Sequence, residues 1–478
     1  MGIPRFAKTL MTRYTLIIGN IKNESDVPSI DNLYLDLNST IHELSHSKPD
    51  NILALLKNKS YEEIYKETCE LINQMVELIK PKSLLMIALD GVSPIAKISD
   101  QLSSRFIKSN NKFIEINNFL DELHLERKNV FDKNEISPCT NFMINFEKYI
   151  DNYIQQKIKE KANIWKDINI ILSGTNVPGE GEYKIMEEIR QGKSKEKKES
   201  IRHCIFSGDA DFILLSLLIH EPNIVILKRG TSSKSKNEYN FEFTKENNLL
   251  YFNEFIYISV LREYLYIEFC KLKTKIKFEY NIERFYDDFA LLSFLLGNDF
   301  IPGLMNLDTD GKVFEFLINS YTNSINKCDD YLTNNGIINF NNFKIFINEL
   351  SLRESEYLDL KYDFFKRVFY SRKNNKSNTS LIEIYKEESI SNKNISNNYE
   401  QLKNEMNSND NKLIKKIINI IDKSIMSGDS EYGLDLNEYF FHKFVQTYNN
   451  DKFKGKILYY EKKFYIDIEE KKRKRRVE

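Results

Sequence analysis

The sequence predicts an α/β fold with a mostly parallel central sheet flanked by helices. Short apolar runs, typical of strands buried on both faces, recur along the first half of the chain. Segments with apolar residues at helical spacing separate these runs. A chain that alternates in this way builds parallel strands joined by crossover helices. With 478 residues, 41% of them apolar, it can bury a large core.

The individual elements follow from the same patterns. Strands are predicted at 32–38, 83–89, 168–172, 203–208 and 224–227. Helices are predicted at 6–14, 61–80, 138–162, 212–219, 253–273 and 282–296. A polar connection is expected between the first helix and Pro28, and residues 310–370 are expected to be helical and mixed. A further helical region at 413–468 makes the C-terminal part an additional helical domain.

The charge balance and the cysteine content restrict the classes of partner and site that the sequence can have. The 69 basic and 70 acidic residues leave a formal charge of −1, which favours no class of partner, although residues 471–476 form a basic block. The five cysteines are scattered without a Cys-x-x-Cys pair, which argues against a zinc site or a disulfide framework. We find no signal peptide and no apolar run long enough to span a bilayer. These features predict a soluble intracellular protein.

Acidic residues follow four successive predicted strands. Parallel strands end at one edge of a sheet, so these side chains should converge there. The residues are Asp36, Asp90, Glu180, Glu182, Asp209 and Asp211. Carboxylates packed together without counter-charge raise one another's pKa values. Two interpretations remain open: an ion-paired structural rim neutralised by Lys and Arg, or a site for two divalent metal ions that performs phosphoryl transfer.

Several blocks of the sequence resemble the Xrn/Rat family of 5′→3′ exoribonucleases. The resemblance is continuous to about residue 360 and weaker from residue 413 onward. It is slightly closer to the nuclear branch than to the cytoplasmic one. The blocks that carry it are 1–6, 31–38 with Ile41-His42, 89–94, 178–186, 207–211 and 295–302.

The resemblance implies a catalytic domain related to flap endonucleases and PIN-type nucleases. It implies two Mg²⁺ ions, with Mn²⁺ able to substitute, and hydrolysis of RNA to nucleoside 5′-monophosphates. Carried over by motif, the metal-binding and catalytic residues are Asp36, Asp90, Glu180, Glu182, Asp209, Asp211 and Asp299. His42 matches the residue on which the family stacks the terminal base.

The family also holds the 5′-monophosphate of its substrate in a basic pocket. Lys97, Gln101 and Arg105 match residues of that pocket. Ser104 stands where the family has Arg, so the resemblance implies a weakened pocket. The predicted substrate is therefore single-stranded RNA with a 5′-monophosphate, degraded processively from that end.

The resemblance and the composition together divide the chain into regions. A catalytic domain is predicted at 1–360, a flexible polar insertion at 371–412, a partial second conserved region at 413–468 and a basic tail at 469–478. The shortened second region suggests a stabilising protein partner. A nuclear location is favoured over a cytoplasmic one, and no membrane association is expected. Two alternatives remain: a flap-type structure-specific endonuclease, and a non-catalytic RNA-binding scaffold.

Overall fold

The structure of the protein is a computed structural model that divides into two compact units. It describes residues 2–45 (without 4 and 22), 60–98 (without 96), 132–195 (without 161 and 162), 201–229, 252–301 (without 299) and 312–354, together with 303, 304, 307, 359, 362, 448, 450, 451, 454 and 455. The first unit draws on 1–48, 52–302 and 328–342, and the second on 49–51, 303–327 and 343–478. The predicted insertion and the basic tail lie outside the described residues.

A seven-stranded sheet forms the centre of the first unit. Its strands are β1 (Ile18–Asn20), β2 (Asn32–Asp36), β3 (Leu84–Ala88), β4 (Asn169–Ser173), β5 (His203–Phe206), β6 (Ile224–Arg229) and β7 (Phe252–Tyr257). In space they follow the order β1-β7-β6-β5-β2-β3-β4. The five strands from β6 to β4 are parallel, and β7 is antiparallel to both β6 and β1. The prediction of a mostly parallel sheet is confirmed.

Helices flank this sheet, as the apolar spacing predicts. In the part of the chain that the structure describes, the helices of the first unit are α1 (Phe6–Arg13), α2 (Asn38–Leu44), α3 (Tyr61–Ile79), α4 (Asn141–Lys159), α5 (Gly181–Lys195), α6 (Phe212–Leu218), α7 (Ile258–Phe269) and α8 (Ile282–Phe294), whereas α9 (Val313–Ile325) and most of α10 (Phe340–Leu352) belong to the second unit. Apolar residues of α3 and α4 pack in one cluster with Leu33 and Leu35 of β2. Helix α5 contacts β2 and β3, and α6 and α7 contact β6. The sheet is therefore covered by helices along most of its width.

Helix α3 shows how the local sequence sets the ends of these elements. Ser60 accepts a hydrogen bond from the backbone N–H of Glu63, and the Glu63 carboxylate accepts one from the Ser60 N–H. This capping box satisfies two donors that the first turn would leave without partners. At the other end Lys80 adopts a left-handed conformation (φ 52°) ahead of Pro81, which cannot continue a helix.

Two strands of the central sheet were not predicted. Strand β1 lies in the segment expected to be a polar connection, and β7 occupies the first residues of the helix expected at 253–273. The helix prediction is wrong for 253–257, because β7 runs directly into α7 without a Gly or Pro to separate them. Pairing with β6 decides the strand conformation, and that long-range contact leaves no local pattern.

A small hairpin completes the first unit. Its strands are β8 (Thr333–Asn334) and β9 (Ile337–Ile338), and the turn residues Asn335 and Gly336 both have positive φ, as a tight hairpin turn requires. The fully buried Asp288 of α8 accepts hydrogen bonds from the backbone N–H groups of Leu332 and Thr333 and from the Thr333 hydroxyl. This carboxylate therefore fixes the hairpin to α8.

The second unit contains α9 and most of α10. The Tyr321 and Phe346 rings lie 6.4 Å apart, and Lys327 pairs with Glu349 at 2.7 Å. Further along the chain, the Tyr448 ring stacks on Tyr362 at 5.1 Å. No helix in the described part of the chain has the length and apolar character to cross a membrane.

Candidate metal centre

Acidic side chains gather at the carboxyl ends of four neighbouring strands, β5, β2, β3 and β4. Asp36 is the last residue of β2, and Asp90 follows β3 by two residues. Glu180 and Glu182 lie where the loop after β4 enters α5, and Asp209 and Asp211 lie between β5 and α6. The six acids that the sequence places at strand ends therefore share one edge of the sheet, as expected for parallel strands.

Three of these acids form a tight group. Carboxylate oxygens of Glu182, Asp209 and Asp211 lie within 4.8 Å of one another. Asp209 also accepts a hydrogen bond from the Asp211 N–H at 3.1 Å, which fixes the turn ahead of α6. Glu182 and Asp211 are buried, so the group is removed from bulk water.

The other three acids surround the start of α5. The Gly181 N–H donates to Oδ1 of Asp90 at 2.8 Å. A Cβ atom at Gly181 would lie only 2.6 Å from Oδ1 of Asp36, so glycine is needed for this approach. Ser207 donates its hydroxyl to Oδ2 of Asp36 at 3.0 Å. Glu180 precedes Gly181 directly and is 3% exposed.

Burial and mutual repulsion make ionisation of this cluster costly. Burial raises the pKa of Asp36 to about 7, and the neighbouring charge of Asp90 adds to the effect. Burial likewise raises the pKa of Glu182 to about 9 and that of Asp211 to about 6, with Asp209 contributing to both. The pKa of Asp90 is raised by burial and by Glu180. A cation bound among these groups would relieve that cost.

Two lysines donate hydrogen bonds at this edge of the sheet. Lys97 Nζ lies 2.6 Å from Oε2 of Glu180, and Lys184 Nζ donates to two backbone carbonyls. Burial lowers the pKa of Lys97, but its hydrogen bond to Glu180 and the negative charges of Glu180 and Glu182 together outweigh this and raise the pKa overall. Among the described residues, the charges of Lys97, Lys184 and Lys228 act on this cluster, which is fewer than its six carboxylates, so ion pairing within the described residues accounts for only part of it.

The donor set fits a hard divalent cation. Oε1 of Glu180 is buried and lacks a hydrogen-bond partner, although Oε2 of the same carboxylate is paired with Lys97. A buried carboxylate oxygen without a partner is costly unless a ligand satisfies it. Oxygen ligands gathered from several loops are those that Mg²⁺ and Mn²⁺ take in proteins.

Several supporting residues were missed by sequence reasoning. They are Asn38, whose Oδ1 accepts from the Asp90 N–H, Ser207, Glu147, which accepts from the N–H and hydroxyl of Thr175, and Lys184. Only Lys184 leaves a local signal. A lysine in the first turn of a helix opposes the helix dipole, so a partner elsewhere is expected.

The structure describes only some of the remaining predicted site residues. His42 lies in α2, one turn after Asn38, and is partly exposed. Gln101, Ser104, Arg105 and Asp299 lie outside the described residues. The predicted phosphate pocket is therefore represented by Lys97 alone.

Two protein-family models match this chain in order. The model of the XRN 5′-3′ exonuclease N-terminus matches residues 1–230, and the model of the Xrn1 helical domain matches residues 279–478. The chain belongs to the XRN family. The match to the first model contains the six described acids of the cluster, and the match to the helical-domain model contains none of them.

Curated relatives extend this family assignment. The 5′-3′ exoribonuclease 1 of Saccharomyces cerevisiae is 36% identical over 358 residues, which are 73% of this chain and 22% of that protein. The 5′-3′ exoribonuclease 2 of Candida albicans is 29% identical over 403 residues, 76% of this chain and 40% of that protein. The chain thus spans between about a fifth and two fifths of these XRN relatives. Relatives named 5′-3′ exoribonuclease 1 and relatives named 5′-3′ exoribonuclease 2 both match, and the predicted closer resemblance to the nuclear branch is not confirmed.

A solved structure, the catalytic core of Rad2 in complex with DNA substrate, also matches. It covers 87% of this chain and 85% of that chain at 12% identity. Its TM-score of 0.33 is too low to bear on the fold or the function of this XRN family member.

Proposed function

We propose that this chain is a processive 5′→3′ exoribonuclease that hydrolyses RNA to nucleoside 5′-monophosphates. One observation carries the proposal: a buried cluster of carboxylates, in excess of its lysines, at the ends of four neighbouring strands. Relatives named 5′-3′ exoribonuclease support the direction of attack and the RNA substrate. The catalytic domain would be residues 1–360.

The cluster would hold two divalent ions, Mg²⁺ or in its place Mn²⁺. Glu182, Asp209 and Asp211 would form one group of ligands. Asp36, Asp90 and Glu180, with Asp299, would supply the others. Such ions activate a water molecule and stabilise charge on the scissile phosphate and leaving oxygen. The protein's own part is to hold the carboxylates close together and shielded from bulk water.

The substrate end would be held by neighbouring residues. His42 would stack on the terminal base, which is worth about 1–3 kcal/mol. Lys97, Gln101 and Arg105 would bind the 5′-monophosphate. Lys97 lies against Glu180, so a phosphate bound there would be adjacent to the metal ligands.

The central test is degradation of linear RNA by the purified full chain. We expect 5′-monophosphorylated RNA to yield mononucleotides in Mg²⁺ and no products in excess chelator. Circular single-stranded RNA should remain intact, because it offers no 5′ end. Cleavage of the circle would favour a flap-type endonuclease, and RNA binding without cleavage of either substrate would favour a scaffold.

We expect this chain to prefer 5′-monophosphate RNA over 5′-hydroxyl RNA less strongly than relatives with a complete pocket do. Ser104 supplies no charge where the family has Arg, and a charged hydrogen bond contributes about 1.5–3 kcal/mol. We expect Ser104→Arg to raise the ratio of kcat/KM on 5′-monophosphate RNA to that on 5′-hydroxyl RNA by about tenfold. An unchanged ratio would show that position 104 does not face the phosphate.

The C-terminal part would serve location and partner binding. The basic tail at 469–478 would direct the protein to the nucleus. The region at 413–468 would be completed by a protein partner. Imaging a tagged protein with and without its tail tests the first idea, and unchanged nuclear accumulation would refute it.

A further inference from the structure

Lys184 places a buried ammonium group between the ends of two parallel strands. Its side chain is 9% exposed, and its Nζ donates to the carbonyl oxygens of Leu89 at 2.7 Å and Gly174 at 2.8 Å. Leu89 follows β3 by one residue, and Gly174 follows β4 by one residue. The ammonium thus bridges the two backbones at the point where each leaves the sheet.

The bridge lies where the sheet ladder stops. The ladder between β3 and β4 ends with the hydrogen bond from the Leu89 N–H to the Ser173 carbonyl at 3.0 Å. Beyond it one chain continues to Asp90 and the other to Glu180. The Leu89 and Gly174 carbonyl oxygens lie past the ladder, where the Gly174 oxygen also accepts from the Val177 N–H at 3.3 Å, and a charged donor forms stronger hydrogen bonds with such oxygens than a neutral one.

Other contacts fix the same two loops. The Gly91 N–H donates to the Gly179 carbonyl at 2.8 Å, and the Gly179 N–H donates to the Val92 carbonyl at 3.0 Å. Glu147 of α4 accepts from the N–H of Thr175 at 3.0 Å and from its hydroxyl at 3.2 Å. Lys184 differs from these groups because, among the described residues, it is the side chain whose hydrogen bonds reach both strand ends.

We propose that Lys184 is a positioning residue for the candidate metal centre: by bridging the Leu89 and Gly174 carbonyls it fixes Asp90 and Glu180 relative to each other. The inference rests on the proposed metal-dependent function. Residues that do not bind the metal themselves but orient its ligands typically contribute about 10–100-fold to metal affinity. A lysine acting only as a counter-charge would have the opposite effect, because removing it would leave the carboxylates more attractive to a cation.

The test is the affinity of the purified full chain for Mn²⁺, measured as free Mn²⁺ by electron paramagnetic resonance. We expect Lys184→Met, which keeps the length of the side chain but removes its donors, to weaken Mn²⁺ binding about tenfold or more. Lys184→Arg, which keeps the charge and the donors, should recover part of that loss. If Lys184→Met does not fold, Lys184→Gln, which retains one donor, is judged by the same criteria.

The matched control is Thr333→Val. It removes one of the hydrogen bonds to the buried Asp288, which belongs to the same unit and is not one of the six acids of the cluster. We expect it to lower the Tm and leave the Mn²⁺ affinity unchanged. Equal weakening in Thr333→Val and Lys184→Met would show a general loss of stability and overturn the inference.

The remaining outcomes separate the two proposals. Unchanged or tighter Mn²⁺ binding by Lys184→Met, alongside normal binding by the natural protein, would overturn the positioning role and leave the metal centre standing. Failure of the natural protein to bind Mn²⁺ would overturn the proposed metal-dependent function, and the role of Lys184 with it.

Discussion

The two ends of strand β2 carry carboxylates in opposite states. Asp31, just before the strand, is held by Arg202 through both carboxylate oxygens, at 2.8 and 2.9 Å, and its pKa is lowered by those hydrogen bonds. Asp36, at the other end, lies among further acids, and its pKa is raised to about 7 by burial and by Asp90. One edge of the sheet therefore pairs its charges, and the other crowds like charges together.

This difference separates a structural use of aspartate from a binding use. At the amino edge the Asp31 pair joins the segments that enter β2 and β5, and no ligand is needed to explain it. At the carboxyl edge the protein buries acids whose ionisation destabilises the fold. Such an arrangement is retained where a ligand compensates for it, which is why perturbed pKa values mark functional sites.

The sharpest contrast should come from removing one charge at each edge. We expect Asp209→Asn to lower the rate of RNA hydrolysis by several orders of magnitude, because a lost metal ligand removes charge stabilisation made mainly in the transition state. Its Tm without metal should not fall, since the substitution relieves repulsion. Asp31→Asn should do the reverse: a lower Tm and nearly normal turnover.

Single-turnover rates on 5′-monophosphorylated RNA and melting curves in chelator measure both effects. Near-normal turnover by Asp209→Asn would contradict the assignment of Asp209 as a metal ligand. Loss of turnover in Asp31→Asn, with the fold intact, would show that the amino edge is not purely structural.

The pH dependence of stability should also differ between the edges. Glu182 has a folded pKa of about 9, far above the ordinary value, so the native state binds the extra proton and the free energy of unfolding falls as pH rises from about 4 to 9. In chelator we expect the Tm to fall between pH 7 and 8.5, less steeply in Glu182→Gln. Asp31, with a lowered pKa, contributes no slope there, because its stabilisation is lost only at acidic pH.

Adding Mn²⁺ at pH 8.5 should restore the Tm of the natural protein, because binding to the native state alone stabilises it. Equal slopes for the natural protein and Glu182→Gln would contradict the raised pKa. A Tm that does not respond to Mn²⁺ would argue against a metal centre.

A smaller effect on stability is expected at His220, whose ring contacts two carboxylates. His220 contacts Glu283 at 2.7 Å and Asp287 at 3.0 Å, and these hydrogen bonds raise its pKa to about 9. The stabilisation is complete below the ordinary value of 6.5 and is lost as pH rises through about 9. We expect His220→Gln to lower the stability by about 1 kcal/mol or less, since the pairs are partly exposed. Chemical denaturation at pH 6 and pH 10 measures this, and an equal deficit at both would refute the charged state.

The sequence predicts those parts of the molecule that local pattern determines. The parallel strands and their terminal acids could be predicted because four of the five apolar runs are followed, at once or within a few residues, by an acid. Strand β1, three residues at the sheet edge, could not, and neither could β7, whose conformation depends on pairing with β6. The partners of Lys184 could not be predicted either, because the Leu89 carbonyl is 95 residues away in sequence. Which carboxylates would be paired, as Asp31 is with Arg202, depends on such distant contacts.

Gly181 has a consequence for engineering. Because a methyl group at this position would meet Oδ1 of Asp36 at 2.6 Å, the smallest possible side chain displaces one ligand and removes none. Gly181→Ala would therefore keep the full complement of charges while spoiling their geometry. Unlike the replacement of an acid, this substitution separates the geometry of the cluster from its charge.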